Sequence, residues 1–165
     1  WSVRELTAHT LRALTTIDRY LVAEPSVDRL IVDAIDYYRV SLGDSRIHSS
    51  VADRGRIAGA ELTDPVGECQ ATSEQVLALV ASTADDDVVE TSAGKMMFIE
   101  YLATRATELG LHTLDLQRAT AQPEYLPPAT SAMVVGLMAA LAEPIMLLSA
   151  LTGRGAMPPD YNVLR

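Results

Sequence analysis

The chain has 165 residues, enough for one domain with a sizeable core, and 48% of them are hydrophobic, which excludes a disordered chain. The formal charge is −9 and no Lys/Arg cluster interrupts it, so nucleic acid is not an expected partner: phosphate binding needs a basic stripe. Aromatic residues make up only 5%, leaving the core to Leu, Val, Ile, Met and Ala, a composition that suits helices better than a sandwich. Cys69 stands alone, which rules out an internal disulfide and a Cys-rich zinc site, and no signal-peptide pattern opens the chain; the cytoplasm is the expected compartment.

Residues 2–22 read as an amphipathic helix, with Val3, Leu6, His9, Ala13, Ile17 and Leu21 recurring at helical spacing and Ser2 with Glu5 forming a capping box. Pro25 ends it. Ser26 then caps a second helix to about Leu42, with Val27, Leu30, Ile31, Ala34, Ile35 and Tyr38 inward and Gly43 as its stop. Residues 45–62 carry a weaker helical period through Ile47, Val51, Ile57, Ala58 and Leu62, interrupted by Gly55 and Gly59. Asp64-Pro65 and Gly67 read as a break, followed by a short helix over 72–84 with Val76, Leu77, Val80 and Ala84 inward. A long helix spans about 94–120. Past the prolines at 123, 127 and 128 comes the last helix, 130–151, apolar nearly all round. Glu143 and Pro144 within it, and the lack of a basic flank or aromatic belt, favour a buried bundle helix with a proline kink over a membrane span. No strand alternation or repeat is visible. The expectation is an all-α fold in a single domain over 1–165, a helical bundle.

The chemistry concentrates in the long helix. Glu108 and His112 are four residues apart and Asp115 follows three later, which brings the three close to one helical face. They lie beside a stripe read as Phe98, Leu102, Ala106, Leu109 and Leu116, where unpaired polar groups are costly. A divalent metal is one partner for such a pair; an intrahelical Glu–His hydrogen bond is another. A metal would need a third ligand from a facing helix, as bundle sites are built, and His9 is the candidate. His9 also reads as an ordinary hydrogen-bonded core histidine. Asp115 reads either as the acceptor that orients an imidazole or as a plain surface carboxylate. Arg105 reads as an ordinary ion-pair partner of Glu108, His48 as solvent-facing, and Cys69 as an incidental thiol between helices. Neither a phosphate loop nor a Ser/His/Asp arrangement is present in the sequence.

Three ordered segments resemble one family. The opening WSVRELTAHTL, the segment GKMMFIEYLATRATELGLHTLDLQRA and the ending LLSALTGR are similar to motifs of the mycothiol-dependent maleylpyruvate isomerase N-terminal domain family, a branch of the DinB-like metal-binding bundles. About half of the chain, notably 26–90, carries no distinctive match. The resemblance implies a DinB-like four-helix bundle with additional short helices, holding one divalent metal, usually zinc, through His9, Glu108 and His112. Asp115 matches the family's Asp after the second His. It also implies mycothiol, a small bacterial thiol, as cosubstrate at the metal's open position. Two family features are expected to be missing: the helix before the tryptophan motif and the second domain that follows the bundle in the isomerase itself, so maleylpyruvate does not follow as substrate. The functional expectation is a metal-dependent thiol transferase or isomerase-like enzyme acting on an electrophile. A metal-binding sensor or interaction module without turnover is the alternative, and apolar bundle faces are compatible with a homodimer.

Overall fold

The computed structural model describes residues 1–24, 27–43 and 45–164, over 45–52 the backbone alone, so the expected cap at Ser26 and the exposure of His48 lie outside what it describes. It is mostly helical, in keeping with an all-α, DinB-like bundle. Helix α1 (Val3–Leu21) is the hub. Ser2 caps it through the expected capping box: its hydroxyl accepts from Glu5 N at 3.2 Å and its own N–H donates to the Glu5 carboxylate at 2.7 Å. Leu6, Ala8, Ala13 and Ile17 are buried against α3 (Ser45–Glu61), α4 (Pro65–Ser82) and α5 (Phe98–Ala119). Of the two glycines that seemed to interrupt α3, Gly55 faces the Trp1 ring, and Gly59 is its contact with α1, where a Cβ would sit 2.9 Å from the Glu5 Cα. Only a residue without a side chain lets the two backbones approach so closely.

Several expected boundaries move, each for a local reason. The second helix, α2 (Ala34–Leu42), begins seven residues later than expected. Asp33 caps it by accepting from Asp36 N at 2.7 Å, while Val32 N donates back to Asp36 at 3.2 Å. The chain before it is extended: Ile31 N donates to Lys95 O at 2.7 Å and Lys95 N to Arg29 O at 2.8 Å, so Leu30 is 75% exposed rather than inward. The Asp64-Pro65 break is instead the start of α4, because an Asp cap followed by proline at the first position is a helix N-terminus. Along α4 only Val76 is buried, with Leu79 and Val80 packed on the core; Leu77 faces outward, and Ala84, past the helix end at Ser82, is exposed.

The expectation of no strands is corrected by an antiparallel hairpin, β1 (Val88–Thr91) and β2 (Gly94–Met97), which delays the long helix to Phe98. Its turn is tied by the Thr91 hydroxyl, which donates to Gly94 O at 2.7 Å and accepts from Ala93 N and Gly94 N. Gly94 has φ +140° and lies against the Arg29 backbone, where no side chain fits. The first amides of α5 donate to Asp87 O and Asp85 O, so the hairpin and acidic turn fix where that helix starts.

The apolar run 130–151 is two helices, α6 (Pro128–Leu141) and α7 (Pro144–Leu151), not one kinked buried helix. Pro144 lacks the N–H to continue α6, and the Glu143 carboxylate accepts from Ile145 N and Met146 N to open α7. Val134 and Leu137 are buried, but no residue of α7 is. No described helix is long and apolar enough to cross a membrane.

Candidate metal centre

Helix α5 buries Phe98, Tyr101, Thr104, Thr107 and Gly110, a stripe one step round from the expected Leu102–Leu116 line. Glu108 and His112 border this stripe, half-buried and aimed at α1. From α1, one helical step beyond buried Leu6 and Ala8, His9 meets them: its ring centroid is 4.7 Å from that of His112. One ligand atom from each of His9, Glu108 and His112 lies within 4.8 Å of the other two, a group able to hold a metal ion. The expected trio is therefore brought together.

Each member is oriented. Glu108 Oε1 accepts from the Tyr38 hydroxyl at 3.0 Å, while Oε2 lies 3.5 Å from His112 Nε2. On the far side of that ring, Nδ1 is 3.2 Å from Asp115 Oδ2, so one nitrogen is tied to a carboxylate and the other faces into the site. His9 differs. Its Nδ1 is buried and has no hydrogen-bond partner among the described residues. A buried polar nitrogen left open costs about 1–3 kcal/mol unless something outside the chain satisfies it.

The electrostatics separate the two imidazoles. Burial, reinforced by the charge on His112, holds His9 down at about 4, so it is neutral and carries a free lone pair at physiological pH. Burial also opposes protonation of His112, but its bonds to Glu108 and Asp115 prevail and raise it. Burial would lift Glu108, yet the His112 hydrogen bond and the Arg105 charge outweigh it and bring the carboxyl to about 2. Two neutral-capable imidazoles and one firmly ionised carboxylate form a donor set for a borderline divalent ion such as zinc.

The trio opens into a cavity of about 390 Å³ whose wall includes Trp1, Tyr20, Tyr37, Ser41 and Arg105. Trp1 leans on His9 with centroids 4.5 Å apart. Sequence reasoning did not assign Trp1 or Tyr38 to the site. Tyr38 was expected inward, and its place on α2, which packs on α5, was the available signal. Arg105 is no ordinary ion pair: its guanidinium lies 4.9 Å from the Tyr101 ring centroid, and it makes no ion pair among the described residues. Cys69 is outside the cavity, half-buried, and its thiol is pushed up by burial and by Glu68, which disfavours the thiolate.

A sequence profile of the family described as "Mycothiol maleylpyruvate isomerase N-terminal domain" matches residues 1–117, a stretch that includes the whole trio. No curated protein and no solved structure matches the chain.

Proposed function

The chain belongs to the mycothiol maleylpyruvate isomerase N-terminal domain family, and from that premise we propose that it is a metal-dependent enzyme joining a small thiol, mycothiol by the family's name, to an electrophile. His9, Glu108 and His112 are the ligands, and zinc is the metal their donor set suits. The observation that carries this reading is the open, buried Nδ1 of His9 within reach of an ionised carboxylate and a second imidazole.

His9, Glu108 and His112 would hold the ion, and zinc bound there would supply the Lewis acidity that favours a thiolate over a thiol at neutral pH. The chain's own residues do the rest. Tyr38 holds one Glu108 oxygen and leaves the other for the site, Asp115 fixes the His112 ring, and Trp1 covers one flank of His9. Thiolate attack on a carbon that bears a leaving group forms the C–S bond as the leaving group departs with its electron pair, and gives transfer; addition to a conjugated double bond, rotation about the resulting single bond and expulsion of the same thiolate gives isomerisation. The bundle lies in the cytoplasm in this reading, as a single domain over 1–165, and works without nucleic acid or membrane, with a homodimer compatible with its apolar faces.

The test is elemental analysis of protein purified without a His tag, followed by incubation with mycothiol and a bimane. One metal per chain and loss of free thiol are expected; protein with no stoichiometric metal sinks the proposal. Two further outcomes follow. Because His112 is raised, zinc must displace a proton from it, so affinity is full above that pKa and falls about tenfold per pH unit below it. Calorimetry in two buffers of different ionisation enthalpy should read this proton release as the pH falls through the raised His112 value, and none should come from His9 while the pH stays above about 4. Asp115→Asn, which keeps the shape but weakens the grip on His112 Nδ1, should lower zinc affinity about 10- to 100-fold in a competition titration with a chromogenic chelator.

A further inference from the structure

The helix α7 is the least accounted-for part of the fold. It has the sequence PIMLLSAL, it buries no residue, and among the described elements it packs on α6 alone. Ile145 and Leu148 lie one turn apart on its outer face, and Leu151 and, on α6, Val135 are exposed with them. Beside this ridge runs an apolar groove of about 600 Å³, larger than the metal cavity and sharing no residue with it. Its wall includes Leu111 of α5, Val134 and Met138 of α6, Leu147 and Leu151 of α7, and Met157 beyond.

Area and charge say what covers this face. A compact monomer of 17.8 kDa exposes about 8,000 Å², whereas this chain exposes 9842 Å². The excess, about 1,800 Å², is more than twice the roughly 800 Å² that each partner gives to a stable interface of standard size. The chain carries a formal charge of −9, so two copies repel wherever their charged surfaces meet. From Tyr125 to Gly153 the only charged side chain is Glu143, and its carboxylate is turned back onto Ile145 N and Met146 N as the cap of α7. This is the stretch where copies can touch without like charges facing one another. It offers nothing to steer a basic partner of another kind. A small hydrophobe would fill the groove and leave Ile145 and Leu148 in water. A two-fold contact needs one patch that carries both a projection and a recess, since each copy presents the same surface to the other.

We propose that the α6–α7 face is the contact between two copies of this chain, the Ile145–Leu148 ridge of one seated in the groove of the other. The inference uses none of the metal chemistry above. Sedimentation equilibrium should give twice the 17.8 kDa chain mass at about 10 µM, within reach of the micromolar or tighter affinity of such interfaces. The mass should hold in about 1 M NaCl, which screens ion pairs and leaves apolar contacts intact. Val135→Glu and Leu148→Glu each place two unpaired carboxylates in the contact and should weaken it at least about 100-fold. Both sites are exposed in the single chain, so Tm and zinc content should stay close to those of the unmutated protein. Leu77→Glu, at an exposed leucine on α4, should leave the dimer unchanged.

Unmutated protein that is monomeric at about 100 µM overturns the proposal, and that result needs no variant to fold. A dimer that survives both glutamates, comes apart with Leu77→Glu or dissolves in salt places the contact elsewhere and overturns it as well. A second reading uses the unmutated protein alone: the hydrophobic dye ANS should brighten per chain as dilution separates the dimer and uncovers the face. A signal per chain that stays flat through that dissociation overturns the assignment. Chelator-treated protein should dimerise as before, so protein found without zinc strikes the metal reading and leaves this one to be decided by the mass.

Discussion

Glu108→Ala is expected to abolish stoichiometric zinc binding. The carboxylate is the only anionic donor in the trio, and it is ionised well below neutrality, so it supplies the charge that draws a dication into a half-buried site. Its loss also harms the metal-free protein. The Tyr38 hydroxyl loses its carboxylate acceptor and Arg105 its nearest compensating charge, at a cost of about 1–3 kcal/mol. The measurements are elemental analysis and thermal unfolding with and without chelator. Wild-type protein in zinc at about 100 times Kd should gain about 2.7 kcal/mol, and the variant should gain nothing. Glu108→Gln separates the effects: its amide oxygen still accepts from Tyr38, so the fold is largely kept while the metal is lost. Retention of one zinc per chain by the alanine variant would show that the ligands lie elsewhere.

The second large effect falls on the packing beneath the site. Tyr101→Ala should destabilise the protein by about 3–5 kcal/mol, a drop of roughly 10 °C in Tm for a chain of this size. Tyr101 is fully buried, packs in the cluster that joins α1, α4, the hairpin and α5, and lies 5.5 Å from Tyr20 and 6.4 Å from Tyr37, centroid to centroid. It is also the platform under Arg105. Tyr101→Phe keeps ring and platform and removes only a hydroxyl that has no hydrogen-bond partner among the described residues, so it should be close to neutral. Denaturant midpoints for the two variants check the difference. A loss below about 1 kcal/mol in the alanine variant would mean the cluster does not carry the fold.

What the sequence made legible was local. The capping box at Ser2 and Glu5, the helical period of α1 and the four-residue spacing of Glu108 and His112 depend on neighbours within a turn, and each holds in three dimensions. The features it hid depend on distant partners. Residues 29–31 read as helical because Leu30 and Ile31 fit the period, yet their backbone pairs with Lys95 across the fold. GKMM reads as the opening of a helix, and only the turn tied by Thr91 and the tight seat of Gly94 make it a strand. The apolar run through 130–151 suggested burial, but hydrophobicity does not say which face finds a partner: Val135, Ile145 and Leu151 stay 66%, 69% and 75% exposed. In the site itself the trio was legible from residue types and spacing, whereas Trp1, Tyr38 and the stacked Arg105 were not, because their roles arise only where α1, α2 and α5 meet.

That meeting has a consequence for how the centre comes into being. His9 rides on the first helix and the Glu–His pair on the fifth, so no short stretch of this chain, helical or otherwise, can gather the donors. An ion cannot nucleate folding here as it does in a zinc finger, where the ligands are close in sequence. The long-range docking of the first helix on the fifth has to come first, with its loop-closure entropy unassisted. During refolding, metal uptake should therefore lag collapse and keep pace with the last tertiary contacts, whatever the zinc concentration supplied.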